Sequence, residues 1–134
     1  EVPCGMGFSG RVWAELDVIV SASGRVLLAF QDKGVREIRI EESLARTPEY
    51  QDPQLDMVLE RIRSDGFESA HSIQVRGLHA ISFPILDVNN HAIAALTVPY
   101  SERIDQRGRK SISDAQISLG NAAKLLSSRV GGKQ

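Results

Sequence analysis

The stretch HAISFPILDVNNHAIAALTVPY, residues 79–100, constrains the fold more than any other part of the chain. It reads as two strands around Asn89-Asn90, because Asn accepts the positive φ that tight hairpin turns require. A two-residue turn there sets Val88 opposite His91, Leu86 opposite Ile93, Pro84 opposite Ala95, Ser82 opposite Thr97 and Ala80 opposite Pro99. Side chains alternate along a strand. One face therefore collects Ile81, Phe83, Ile85, Leu96, Val98 and Tyr100, and the other Ala80, Ser82, Pro84, Ala95, Thr97 and Pro99. Neither face carries Lys, Arg or Glu, which a face open to water would show. Both faces have to be covered. The bulky one reads as core. The small one has two explanations: close packing of a helix, or the lining of a cavity with a few hydroxyls inside it.

At 134 residues the chain suits one domain with a sizeable core. Hydrophobic residues make up 42%, too many for a disordered chain. Sixteen Lys and Arg stand against seventeen Asp and Glu, a net charge of -1, so there is no global electrostatic reason to bind nucleic acid. No apolar run approaches the roughly 18 residues that would span a bilayer, and no signal peptide is visible, so no membrane partner is expected. The single cysteine, Cys4, excludes an internal disulfide and fits a reducing compartment, the cytoplasm. A start at Glu1 without Met is what a fragment of a longer protein would show.

Residues 1–11 are glycine-rich without period and read as a loop. Trp13 to Val20 alternates loosely, as a strand does. Ser21-Ala22-Ser23-Gly24 opens an apolar stretch, with Ser as helix cap, and predicts a short buried helix. A second helix is expected from Asp32 towards Ile38, with 39–51 polar and irregular. Asp52-Pro53 is a helix start followed by Leu55, Val58, Leu59 and Ile62 at helical spacing, and Gly66 ends the helix. Phe67 to Val75 reads as a strand, and Gly77 turns the chain into the hairpin. From Ser111 a long helix is expected, with Ile112, Ala115, Leu119, Ala122, Ala123, Leu126 and Val130 as its apolar stripe. The order helix, helix, strand, strand, strand, helix, with a strand before, is α+β with an antiparallel sheet.

Little in the chain carries chemistry. His71, His79, His91 and Cys4 fit no metal-ligand spacing. GMGFSG at 5–10 lacks the Lys-Ser/Thr and the Rossmann unit a phosphate loop needs. No nucleophile elbow appears, and no carboxylate sits in an apolar setting that would tune it. ERIDQRGRK at 102–110 reads as a solvated loop, and Trp13 as a core residue. An enzyme would have to use His79 or His71 as base, with no partner named by the sequence.

Four segments in order, SASGRVLLAF (21–30), RTPEYQDPQLDMVLERIRSDGF (46–67), GLHAISFPILDVNNHAIAALTV (77–98) and AAKLLSSRVGG (122–132), together resemble the C-terminal effector-binding domain of IclR-type bacterial transcription regulators. The resemblance covers about residues 21–131 and leaves 1–20 poorly matched. It implies a GAF/profilin-like antiparallel sheet with helices on both faces, an effector-binding domain over 21–134, and no cofactor. It implies a small-molecule effector and a homodimer or homotetramer, with DNA bound only through a winged helix-turn-helix that this chain lacks. The family's pocket positions fall on Leu78, Ala80, Thr97 and Pro99, all on or in line with the small face, on Ala70, and around Leu16 and Asp17 in the loop before the first helix. Ser82 and Thr97 offer hydroxyls there. The family often has an acidic residue at Ala70, Glu at Ile73, Cys at Ala80 and Ser at Pro99. The pocket expected here is thus less polar, suited to an apolar or aromatic small acid. The rival readings are a packed dimerisation module and a small hydrolase or isomerase. Thr97→Leu should be costly in a packed sheet and tolerated in a pocket.

Overall fold

The computed structural model of the chain describes residues 17–71, 77–101 and 112–131. Three helices, α1 (Ala22–Ala29), α2 (Lys33–Arg46) and α3 (Leu55–Asp65), precede three strands. These are β1 (Glu68–His71), β2 (Leu78–Leu86) and β3 (Ala92–Ser101), and α4 (Ile112–Arg129) closes the order. The sheet is antiparallel with β2 in the centre. α1 lies on one face, backed by α3, and α4 lies on the other. This is the expected α+β arrangement with helices on both faces.

Ser21 starts α1 as read from the sequence: its backbone is extended and its Oγ accepts the Gly24 N–H at 2.9 Å. A Cβ on Gly24 would sit 2.6 Å from the Asp17 carbonyl oxygen and closer still to Val18 Cα. Only glycine lets the 17–20 turn lie against the helix. Residues 17–20 form this turn, not the strand expected to end there. Val26, Leu28 and Ala29 then pack with Ile19 and with Leu55, Leu59 and Ile62 of α3 as the main core. Each fully buried Leu or Ile there contributes about 1.5–3 kcal/mol. The orphan carbonyls at the end of α1 accept from two arginines: Arg36 donates to Leu28 O (3.2 Å) and Ala29 O (3.3 Å), and Arg63 to Ala29 O (3.3 Å). Cations there also offset the negative end of the helix dipole.

The second helix runs to Arg46, so the irregular segment expected from 39 is helical as far as that residue. Its buried residues are Arg36 and Ser43, and an apolar count passes over both. The third begins at Leu55, after a turn in which Asp52 Oδ1 accepts the Gln54 N–H at 2.9 Å. Gly66, at φ +90°, ends it as expected. β1 occupies the start of the strand read over 67–75. Residues 72–76, with the readings placed on 1–16 and 102–111, lie outside the described residues.

The hairpin tip is longer by one residue than the sequence suggested. Asp87 N–H donates to His91 O (2.9 Å) and Asn90 N–H to Asp87 O (3.0 Å), around Val88-Asn89-Asn90 with Asn90 at φ 61°. Leu86 pairs with Ala92 rather than Ile93, and Ile93 is a bulge that restores the expected register from Ile85–Ala94 onwards. Ser82–Thr97 and Ala80–Pro99 pair as read.

The two faces exchange roles. The small face carries the deeper packing: Ser82 and Pro84 are fully buried, and Ala95 joins the core of α1 and α3. On the bulky face Ile81 is fully buried, but Phe83, Ile85, Leu96 and Val98 are only half-buried beneath α4. α4 turns in Leu119, Gly120, Ala123 and Ser127, while Ala122, Leu126 and Val130 of the expected stripe are exposed. Close approach explains the offset. A Cβ on Gly120 would lie 3.1 Å from the Phe83 ring, and Ser127 Oγ accepts the Leu86 N–H at 3.0 Å.

Candidate ligand-binding site

Strand pairing sorts the candidate residues into cross-strand rows on the small face. Ala70, Ala80 and Pro99 form one row over β1, β2 and β3. Glu68, Ser82 and Thr97 form the next. Leu78 lies at the same face one step beyond Ala80. Six of the eight candidates are thus brought together: Ala70, Leu78, Ala80, Ser82, Thr97 and Pro99.

The rows differ in what covers them. Over the second row sits α1. Thr97 Oγ1 lies 2.8 Å from Ser82 Oγ and 2.7 Å from Ser23 Oγ, a chain of three hydroxyls running from the sheet into the first turn of the helix. Beside it the buried Glu68 carboxylate accepts from Arg25 Nε at 2.9 Å, Arg61 Nη2 at 2.8 Å and the Ser69 N–H at 2.9 Å. Arg25 also donates to Ile19 O at 3.1 Å. Charge and lone pairs are both satisfied, as a carboxylate this deep requires. The first row is more open: Ala70, Leu78 and Ala80 are half-buried and Pro99 is exposed.

The direction of α1 follows from its two ends. Its C-terminal end meets β3 at Ala92, whose N–H donates to Phe30 O at 2.9 Å, and Ser23 meets β3 at Thr97. Continued past its N-terminus, the helix points along β3 towards Pro99 and the Ala70–Ala80–Pro99 row. That end of a helix presents N–H groups and the positive end of the dipole, which favour an anion.

Asp17 is placed otherwise. Its Oδ1 accepts from Ile19 N–H (2.7 Å) and Val20 N–H (3.2 Å), and its Oδ2 from the Ser43 hydroxyl of α2 (2.5 Å). Both oxygens hold the turn before α1 rather than the sheet face. Leu16 lies outside the described residues. Sequence reasoning missed Ser23 and the Arg25–Glu68 pair. Their signal was there: Ser23 sits three residues before Val26, on the inward side of α1, and Arg25 is the only charge in an otherwise apolar helix. Thr97 is wedged between Ser23 and Ser82, so Thr97→Leu is costly whatever the first row does, and Ala80 is the better probe.

Ser69 Oγ lies 2.7 Å from His79 Nε2, and the His79 ring meets His71 edge-on at 4.8 Å between centroids. Among the described residues no group of three or more His, Cys, Asp or Glu could hold a metal ion. None of their helices is long and apolar enough to cross a membrane.

Residues 9–125 match the family described as bacterial transcriptional regulator IclR C-terminal. The chain belongs to the IclR family. Its match begins upstream of the segments that carried the resemblance. Among solved structures this IclR chain is similar to HmgR of Pseudomonas aeruginosa, with 27% identity and a TM-score of 0.72, over 92% of this chain and 49% of that one. It is similar to the C-terminal domain of the E. coli transcriptional regulator KdgR, with 26% identity and a TM-score of 0.63, over 85% and 71%. A third is a double mutant of the inducer-binding domain of the transcription factor PobR from Acinetobacter, in complex with 3-hydroxybenzoic acid. That similarity is 25% in identity and 0.61 in TM-score, over 82% and 66%. The chain spans about half the length of HmgR. No curated protein matches it in sequence.

Proposed function

We propose that this chain senses a small organic acid for an IclR-type transcription regulator, without catalysing a reaction, in the cytoplasm. The acid binds on the small face over the Ala70–Ala80–Pro99 row, with Leu78 beside it and the Ser82–Thr97–Ser23 hydroxyls at its inner edge. The observation that carries this is the row itself: small side chains, incompletely covered, lying beyond the N-terminus of α1. The helix end favours a carboxylate, and the alanines and proline favour an apolar or aromatic body. The 3-hydroxybenzoic acid held by the PobR domain is of that chemical class. Leu16 belongs to the same site by resemblance, and Asp17 would serve it by holding the turn that seats α1.

Coupling is by linkage. A ligand that binds one arrangement of the domain better shifts the equilibrium towards it, and a homodimer or homotetramer passes the shift to DNA-binding domains outside this chain. Equal affinity for both arrangements would shift nothing.

A thermal-shift series with 3-hydroxybenzoate, benzoate, short aliphatic acids and sugar acids tests the proposal. At about 100-fold excess over its dissociation constant a ligand adds about 2.7 kcal/mol to stability. Ala80→Leu fills the first row at a half-buried position and is expected to abolish the shift with aliphatic and sugar acids and to diminish it with the aromatic acids, while the protein stays folded. Shifts that Ala80→Leu leaves unchanged move the site elsewhere. No shift with any acid favours a packed dimerisation module.

A further inference from the structure

The reverse face of the sheet holds a second recess, independent of the site above. Phe67, just before β1, stacks on Phe83 of β2, with ring centroids 5.0 Å apart and planes inclined by 20°. Both rings are only half-buried. They flank a cleft of about 440 Å³ between the end of α3 and the first half of α4, whose polar lining includes Gln116, Asn121 and Lys124. Gly120 is where α4 closes onto one edge of the cleft: a Cβ there would stand 3.1 Å from two atoms of the Phe83 ring. Ile117 could have filled the recess, yet it lies on the cleft wall and is 63% exposed.

We infer that this cleft binds a planar aromatic carboxylate. The stacked rings supply an aromatic surface on which a further ring can stack, offset or edge-on. Lys124 supplies the charge. Asp65, on the same wall, is within 3.7 Å of Arg61, so its carboxylate is already offset. Among the described residues no side-chain hydrogen bond or ion pair engages Gln116, Asn121 or Lys124, which leaves two amides and one cation free for a ligand. Phe83 and Ser82 are neighbours in β2 that point to opposite faces, so one strand separates the two sites.

Titration calorimetry with 1-naphthoate and the neutral 1-naphthamide tests this on the Ala80→Leu protein, in which the other face is blocked. Naphthoate is expected to bind still. Adding Lys124→Glu, at an exposed and unpaired position, should weaken naphthoate by about tenfold and naphthamide by less than about twofold. Naphthoate binding that vanishes in Ala80→Leu, or that ignores Lys124→Glu, overturns the inference. The proposed effector site fails by a different result, acid binding to the parent chain that Ala80→Leu leaves unchanged.

Discussion

The Ser43 hydroxyl, fully buried on α2, donates to Asp17 Oδ2 at 2.5 Å and so ties the turn before α1 to a helix 26 residues further on. Burial is the largest single influence on the Asp17 carboxyl and pushes its pKa up. The hydrogen bonds from Ser43, Ile19 and Val20, with the charge of Arg46, outweigh it, so the carboxyl lies below its ordinary value of 3.8. The turn positions Gly24 and Ser21, and through them the helix that overlies the hydroxyl chain.

A carboxyl with a depressed folded-state pKa stabilises the fold above its unfolded-state pKa and loses that contribution as pH falls through the folded-state value. Asp17→Asn is therefore expected to cost on the order of 1 kcal/mol at pH 7, a modest figure because solvent screens the group in part. The difference narrows as pH drops below 3.8. Urea unfolding of both proteins at pH 7 and pH 3 reads it directly.

Two glycines in helices should respond oppositely to alanine. At Gly24 the added Cβ meets backbone, which cannot yield as a side chain does, so Gly24→Ala should cost about 2 kcal/mol or more. At Gly34, near the start of α2, nothing lies within 4 Å, and Gly34→Ala should add about 0.5–1 kcal/mol. Melting temperatures of the pair, displaced in opposite directions, would bear this out.

Glu68 is 1% exposed and shared by Arg25 and Arg61. Glu68→Leu strands the buried Arg25 guanidinium and should cost about 3–5 kcal/mol, whereas Arg25→Met with Glu68→Leu should recover most of that loss. Arg61 is about half exposed, and Arg61→Ala should cost about 1 kcal/mol or less. A double-mutant cycle in denaturant separates these terms.

Thr97→Val keeps shape and removes one hydroxyl, leaving Ser23 and Ser82 without the atom that joins them. The expected cost is about 1–3 kcal/mol. Ser82→Ala with Thr97→Val should cost less than the sum of the single changes, because the orphaned group goes with its partner. Chemical denaturation of the three variants decides it.

The hairpin was the most legible part of the chain. Alternation, with the pairing that a two-residue turn sets, assigned Ser82, Thr97, Ala80 and Pro99 to one face, and the bulge at Ile93 preserves that pairing although the tip is longer. The Ser21 cap and the Gly66 stop were legible because each rests on local backbone chemistry. What escaped were contacts made by residues that hydrophobic periodicity does not count. α2 continues because Arg36 and Ser43 turn inward, and α4 rotates away from its apolar stripe because Gly120 and Ser127 allow a closer approach. The depth of the small face was hidden for the same reason. Bulk in a sequence marks volume to be filled, whereas Ser82 and Pro84 are buried by the nearness of α1. The hydroxyl chain needed the helix in place before Ser23 could be joined to a residue 74 positions away.

The extra residue at the hairpin tip and the bulge at Ile93 act as matched shims. One advances β3 by a step and the other takes the step back, so Thr97 meets Ser82 although the tip is longer than two residues. A chain that loses one tip residue can give up the bulge and keep every later pair, because two flanking pairs and a three-residue tip still join Ile85 to Ala94. The loss of one residue at that corner is thereby absorbed before it reaches Thr97 and Ser82.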